Sequence, residues 1–196
     1  MASPRQIVLA SASRYRRELL ERLGLPFECA DPDVDESEAP GETAADTALR
    51  LSMLKAKAVA LRFPGAIVIG CDQVAACDGV RMGKPGSHAN AIRQLEFMSG
   101  KTVTFETALT VLDAGSGEAR SRVVPCRVTF RSLTRAEIES YLEREKPYDC
   151  AGSAKAEGLG IAIIRRIETE DPTSLIGLPL IALTELLGAA GVPVIG

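Results

Sequence analysis

The sequence predicts an α/β fold with a mixed central sheet flanked by helices, and three observations support it. Short apolar runs at Gln6–Ala10 and Ala66–Gly70 read as strands, the second apolar enough to be largely buried. Between and beyond them, apolar residues recur at helical spacing, as with Leu19, Leu20 and Leu23, or Leu49, Met53, Ala56 and Ala60. Two longer strand-like stretches, Thr102–Leu112 and Arg120–Arg131, pair around Gly115-Ser116-Gly117 as a hairpin, so the sheet is mixed.

Taken in order, Gln6–Ala10 is a strand, Ser11-Ala12-Ser13 a loop, and a helix follows as far as Gly24. Phe27–Ala30 fits a second short strand, after which residues 31–46 are acidic and rich in Pro, Gly, Ser and Thr, the composition of a surface loop. A helix from Thr43 or Asp46 to Phe63 is stopped by Pro64-Gly65. The run Ala66–Gly70 leads straight into Cys71-Asp72-Gln73, which delivers a carboxylate from the core to an edge. Asp78-Gly79 and Gly83-Lys84-Pro85 are turns, and a helix runs from near Ser87 to Gly100. After the hairpin, Thr134-Arg135-Ala136-Glu137 is a capping box that opens a helix to about Glu145. Ile161–Ile167 reads as a strand and Pro179–Leu187 as the last helix.

The length of 196 residues fits one domain over 1–196, or two small lobes sharing a core. A net charge of −3 gives no general reason to expect a nucleic-acid or membrane partner, so any polyphosphate site must be a local basic cluster. Met1–Leu9 lacks the apolar stretch of a signal peptide and no run is long enough to span a bilayer, which points to the cytoplasm. The five cysteines, Cys29, Cys71, Cys77, Cys126 and Cys150, have no CxxC spacing and read as small buried hydrophobes. The single histidine, His88, leaves no material for a histidine-rich metal site or a His-centred triad.

Three constellations remain. Arg14, Arg16 and Arg17 crowd the first helical turn after Ser11 and Ser13, where positive side chains oppose the helix dipole; an anion there would reverse the penalty, and free N–H groups, hydroxyls and arginines suit phosphate. The competing reading is a solvated basic face with Ser13 as an ordinary N-cap. Asp72, with Asp35 and Glu36 as candidate companions, offers oxygen ligands for Mg²⁺ or Mn²⁺, or a base for an attacking water. The competing reading makes Asp72 a strand terminator and the other two loop solvation. Lys55, on a helix, and Lys84, in a rigid turn, can neutralise phosphate oxygens, although either alone reads more readily as a surface residue. There is no Walker loop, which excludes a P-loop NTPase.

In this order, the motifs resemble the Maf family of nucleotide pyrophosphatases along essentially the whole chain. The matching stretches are Leu9-Ala10-Ser11-Ala12-Ser13 with Arg16 and Glu18-Leu19-Leu20, then Val34-Asp35-Glu36, Lys55-Ala56, Ile69-Gly70-Cys71-Asp72-Gln73-Val74, Gly83-Lys84-Pro85, Met98-Ser99-Gly100-Lys101, Cys150-Ala151-Gly152 and Ile176-Gly177-Leu178-Pro179-Leu180. The resemblance implies a Maf/ITPase-like body of two lobes around a cleft, a divalent metal (Mg or Mn), and hydrolysis between the α- and β-phosphates of a nucleotide. It also implies Asp72 as proton acceptor, with Ser11, Arg16, Lys55 and Lys84 on phosphates, and it suggests a homodimer. The chain departs from the family in carrying Arg14 where proline is usual.

Three positions around the base divide such proteins into branches, and here they are Tyr15, Gln73 and Glu157. That set is similar to the branch acting on 7-methyl-GTP, whereas Arg, Thr and Gln mark the branch acting on dTTP and UTP. The chemistry agrees: an aromatic ring gains from a cationic methylated base, and a carboxylate accepts from the N1–H and N2–H of guanine but repels the carbonyls of uracil and thymine. The resemblance therefore implies a 7-methyl-GTP pyrophosphatase. The alternatives are a dTTP/UTP or other modified-nucleotide pyrophosphatase, and a nucleotide-binding regulator of septum formation without turnover.

Overall fold

The computed structural model describes residues 5–195; Met1–Pro4, the first part of the segment read for a leader, and Gly196 lie outside the described residues. In chain order the elements are β1 (Ile7–Ala10), α1 (Arg14–Glu21), β2 (Glu28–Cys29), α2 (Ala44–Ala60), β3 (Ile67–Cys77), β4 (Val80–Met82), α3 (His88–Met98), β5 (Thr102–Asp113), β6 (Ala119–Phe130), α4 (Arg135–Glu145), β7 (Ile164–Thr169) and α5 (Leu180–Ala189). The mixed sheet flanked by helices is thus present. The chain divides into two compact units, one of Met1–Gln73, Thr107–Val124 and Asp171–Gly196, the other of Val74–Glu106 and Pro125–Glu170.

In the first unit β1 lies between β2 and β3 and is parallel to both, with Ile7–Ala10 opposite Ile67–Gly70. Side chains alternate across the sheet with a period of two. Ile7, Leu9, Ile67, Ile69, Cys71, Leu109 and Val111 face α1 and α5, meeting Leu19, Leu20, Leu183 and Leu187. Val8, Ala10, Ala66 and Val68 face the other way, onto Ala56 and Val59 of α2. Burial on both faces explains why β1 and β3 read as unbroken apolar runs.

The chain leaves β1 through α1 to reach β2 on one side, then returns through α2, on the opposite face, to β3 on the other side. In open α/β sheets this reversal opens a crevice at the carboxyl ends of the strands, where ligands bind. Here those ends are Ser11 and the residues following Gly70.

Gly70 sets how closely α2 approaches. A Cβ there would sit 2.0 Å from the Ser52 carbonyl oxygen and 2.8 Å from the Ala56 nitrogen, so only glycine lets the helix backbone settle on the strand. A hydroxyl pair, Ser52 Oγ to Thr110 Oγ1 at 2.8 Å, ties the same turn of α2 to β5. Thr43 caps α2 in a capping box with Asp46, as the loop-to-helix boundary required.

In the second unit β4 folds back antiparallel on β3 after Asp78 and Gly79, both at positive φ (49° and 78°), the demand of a tight primed turn. β7 pairs antiparallel with β6, and α3 packs on α4, whose capping box is Thr134 with Glu137.

Two readings need correction. β3 does not stop at Gly70 but runs to Cys77, because Asp72 and Gln73 find polar partners inside the fold. The strand expected at Ile161–Ile167 begins only at Ile164: the Leu159 N–H is taken by Glu145 and the Gly160 N–H by the Lys155 carbonyl, so Leu159–Ile163 coils into a 3-10 helix. Of the cysteines, Cys71, Cys77 and Cys126 are buried as expected, but Cys29 is exposed and Cys150 only half-buried.

Candidate functional site

The sharpest feature of the first unit is a buried cation between two carboxylates. Lys55 Nζ lies 2.6 Å from Asp72 Oδ1 and 2.8 Å from Glu36 Oε1, with side-chain exposures of 5 % for Lys55, 8 % for Asp72 and 58 % for Glu36. The geometry follows from the elements beneath it. Asp72 shares its face of β3 with Val68 and Gly70, so it points at α2, and the close approach at Gly70 brings Lys55 within reach. A carboxylate and an ammonium both withdrawn from water survive only as partners.

The loop preceding α2 supplies Glu36 and is anchored by Arg50. Its guanidinium donates from Nε to Glu42 Oε1 at 2.5 Å, from Nη2 to Glu42 Oε2 at 2.8 Å, and to the Ser37 carbonyl at 3.0 Å. Arg50 holds the Glu42 carboxyl well below its ordinary value, at about 2, helped by hydrogen bonds from Thr47 and Ala39. Asp35 folds back on Ser37, accepting from its hydroxyl and N–H, contacts that lower its pKa. Of the two acidic candidates in this loop, Glu36 is therefore the one that meets Lys55.

On the β1–α1 turn, Ser11 is buried and its Oγ accepts the Ser13 N–H at 3.1 Å; Ser13 caps α1 through the Arg16 N–H at 3.5 Å. The three arginines of the first turn diverge. Arg17 pairs with Glu21, and Arg14 lies 4.7 Å over the Tyr15 ring while donating to its hydroxyl at 2.6 Å. Arg16 donates from Nε to the Gly177 carbonyl at 3.0 Å and meets no carboxylate among the described residues, leaving its two Nη groups for an anion. Gly177, at φ 121°, has the backbone freedom this contact uses. Asp171 organises the same loop, accepting from the Thr173 N–H and hydroxyl and from the N–H groups of Ile181 and Ala182 at the start of α5.

Gln73, next to Asp72 but on the opposite face of β3, is half-buried and donates to Thr107 and to the carbonyls of Ser174 and Leu175. Ser11, Ser13, Tyr15, Arg16, Glu36, Lys55, Asp72 and Gln73 thus all belong to the first unit. Lys84 and Glu157 belong to the second, where both are exposed; Lys84 follows β4, and Glu157 lies in the loop that Glu145 pins through Lys155 and Leu159. His88 contacts Tyr148 and no site residue.

Sequence reasoning passed over Arg50, Glu42, Thr107 and Asp171. Only Asp171 carried a local signal, the Asp-Pro-Thr pattern of a side chain that caps its own loop. No group of three or more His, Cys, Asp or Glu placed to hold a metal occurs among the described residues. Two carboxylates converging on one ammonium nevertheless fit a hard divalent cation that takes its other ligands from phosphate and water, since such ions bind through one or two carboxylates plus substrate.

Residues 6–190 match the family model described as Maf-like protein. The 7-methyl-GTP pyrophosphatase of Cupriavidus metallidurans is 56% identical to this chain, covering 97% of it and 96% of the relative. That of Polaromonas sp. is 57% identical over 96% of this chain and 86% of its own, and that of Nitrosospira multiformis 53% identical over 97% and 96%. Among solved structures, the Staphylococcus aureus Ham1 protein aligns with a TM-score of 0.47 at 18% identity, covering 65% of this chain and 73% of that one.

Proposed function

The chain belongs to the Maf family, and from that premise we propose that it hydrolyses 7-methyl-GTP to 7-methyl-GMP and pyrophosphate. The observation that carries the chemistry is the buried Lys55–Asp72 pair with Glu36 on the same ammonium; the substrate is the one named for relatives more than half identical along the chain.

In this reading, water attacks the α-phosphorus in line with the pyrophosphate leaving group. A bond forms from the water oxygen to phosphorus, the bond from phosphorus to the bridging oxygen breaks, and the water proton passes to Asp72. Lys55 holds Asp72 in place and offers positive charge where it builds on phosphate oxygens. The Nη groups of Arg16 and the Ser11–Ser13 turn take the phosphates. In the alternative to its role as base, Asp72 would join Glu36 in holding Mg²⁺ or Mn²⁺, which when bound supplies Lewis-acid polarisation of the phosphoryl oxygens. Tyr15 and Gln73 read the base; the roles of Lys84 on phosphate and Glu157 on base rest on the family's residue pattern. Five cysteines without a disulfide, and no helix among the described residues long and apolar enough to cross a membrane, support a cytoplasmic location.

The test is pyrophosphate release from 7-methyl-GTP, GTP, dTTP and UTP side by side, with a chelator and after adding back Mg²⁺ or Mn²⁺. Metal-dependent preference for 7-methyl-GTP is expected. Preference for UTP or dTTP would overturn the substrate, and tight nucleotide binding with no release would overturn the enzyme.

A further inference from the structure

We infer that Gln73 can meet a ligand only as a hydrogen-bond acceptor, and that Thr107 is a positioning residue that holds it so together with the Ser174 and Leu175 carbonyls. The geometry stands by itself; its meaning for the base rests on the reading above. Gln73 Nε2 lies 2.9 Å from Thr107 Oγ1, 2.9 Å from the Ser174 carbonyl oxygen and 3.2 Å from that of Leu175. Thr107 Oγ1 in turn donates to the Ser174 carbonyl at 3.0 Å. A carbonyl only accepts, so the single Thr107 hydroxyl hydrogen is committed to Ser174, and only a lone pair is left for Gln73.

One end of the Gln73 amide is thus enclosed by three acceptors. That end must be the NH₂ group, because the reversed amide would set Oε1 against two carbonyls and a lone pair with no hydrogen among them. Oε1 is then the free end: it meets no donor among the described residues and is not among their buried unsatisfied atoms, so it reaches solvent. Thr107 itself is fully buried, so water cannot replace its hydroxyl cheaply.

An unconstrained glutamine is ambidextrous and turns its amide to suit either donor or acceptor. Held this way, Gln73 rewards a base edge that presents N–H and penalises one that presents carbonyl oxygens. Guanine offers two adjacent donors, N1–H and the 2-amino group. Uracil and thymine offer one N–H between two carbonyls. Discrimination then comes from repulsion of the wrong base as much as from attraction of the right one.

The first readout needs no substrate. In the full-length protein, the Gln73 side-chain amide protons, identified by their loss in Gln73→Leu, should exchange with water more slowly than those of exposed glutamines. Thr107→Val should speed that exchange and Thr107→Ser should not; fast exchange in the wild type overturns the inference. In kinetics, Thr107→Val should cut the preference for 7-methyl-GTP over UTP by about threefold to tenfold, the effect of one hydrogen bond. The loss should appear in KM with kcat little changed, and Thr107→Ser should restore it, whereas a general packing defect would lower kcat for both substrates alike. An unchanged preference in Thr107→Val overturns the role of Thr107. If the wild type does not hydrolyse 7-methyl-GTP, the proposed function fails while the exchange measurement still decides how the amide is held.

Discussion

Replacing Lys55 by Met should cost the protein more stability than replacing Asp72 by Asn, although the two residues form one ion pair. Among the described residues Asp72 has one ion-pair partner, Lys55 at 2.6 Å, whereas Lys55 has two, Asp72 and Glu36. Lys55→Met therefore strands a carboxylate whose side chain is 8 % exposed, and removing one member of a buried pair costs roughly 3–5 kcal/mol. Against a total stability of about 5–15 kcal/mol that is a large share, equivalent to a fall in Tm of roughly 6–20 °C at this chain length. Asp72→Asn leaves the ammonium with Glu36 and keeps an amide oxygen facing it, so about 1–3 kcal/mol is expected. Urea unfolding of both single variants and the double variant, with unchanged m, measures all of this. Equal costs for the two single variants, or a double variant additive to within about 0.5 kcal/mol, would refute the buried pair.

Gly70→Ala should be destabilising at the upper end of the roughly 1–3 kcal/mol range for overpacking, because the new methyl meets helix backbone rather than a movable side chain; it should also slow turnover by lifting Lys55 off Asp72, read by thermal melts and kcat. Glu42 should contribute stability that is complete above its ordinary value of 4.5 and is lost as pH falls towards its folded value of about 2. Glu42→Gln should therefore differ from wild type in urea midpoint above pH 4.5 and converge with it in stronger acid; a constant difference would count against the Arg50 contact. Asp171→Asn replaces one carboxylate oxygen by NH₂, which leaves either both α5 N–H groups or both Thr173 donors without an acceptor, and should cost at least about 1–3 kcal/mol. It should also weaken nucleotide binding, through the loop whose Gly177 carbonyl holds Arg16, as an isothermal titration would show.

Sequence reading succeeded where local chemistry decides structure. Ser87 and Thr134 each cap the helix they were expected to open, Thr43 rather than Asp46 caps α2, and the hairpin formed where expected, at Thr102–Asp113 and Ala119–Phe130. It failed where a long-range partner overrides local character. Asp72 and Gln73 look like the end of an apolar strand until Lys55, 17 residues away, and Thr107, 34 residues away, satisfy them. Ile161 to Ile163 have strand composition, yet Glu145 and the Lys155 carbonyl hold the Leu159 and Gly160 N–H groups just before them, and the Ile161 N–H turns back to the Gly158 carbonyl. The acidic loop read correctly as surface, but nothing in its composition distinguishes Glu36, which reaches Lys55, from Asp35, which turns back on Ser37.

The alternation of a β-strand has a functional consequence at residues 72 and 73. Successive side chains leave opposite faces, so β3 hands Asp72 to α2 and Gln73 to the loop before α5. The group proposed to take the proton and the group proposed to read the base are therefore adjacent in sequence yet supported by separate hydrogen-bond systems, Lys55 with Glu36 on one side and Thr107 with Ser174 on the other. Changes in the first system should act on kcat for every nucleotide. Changes in the second should act on the choice among nucleotides, so Glu36→Gln and Thr107→Val should combine with near-additive effects on kcat/KM for 7-methyl-GTP. Strong coupling between them would mean that the two faces of β3 do not act independently.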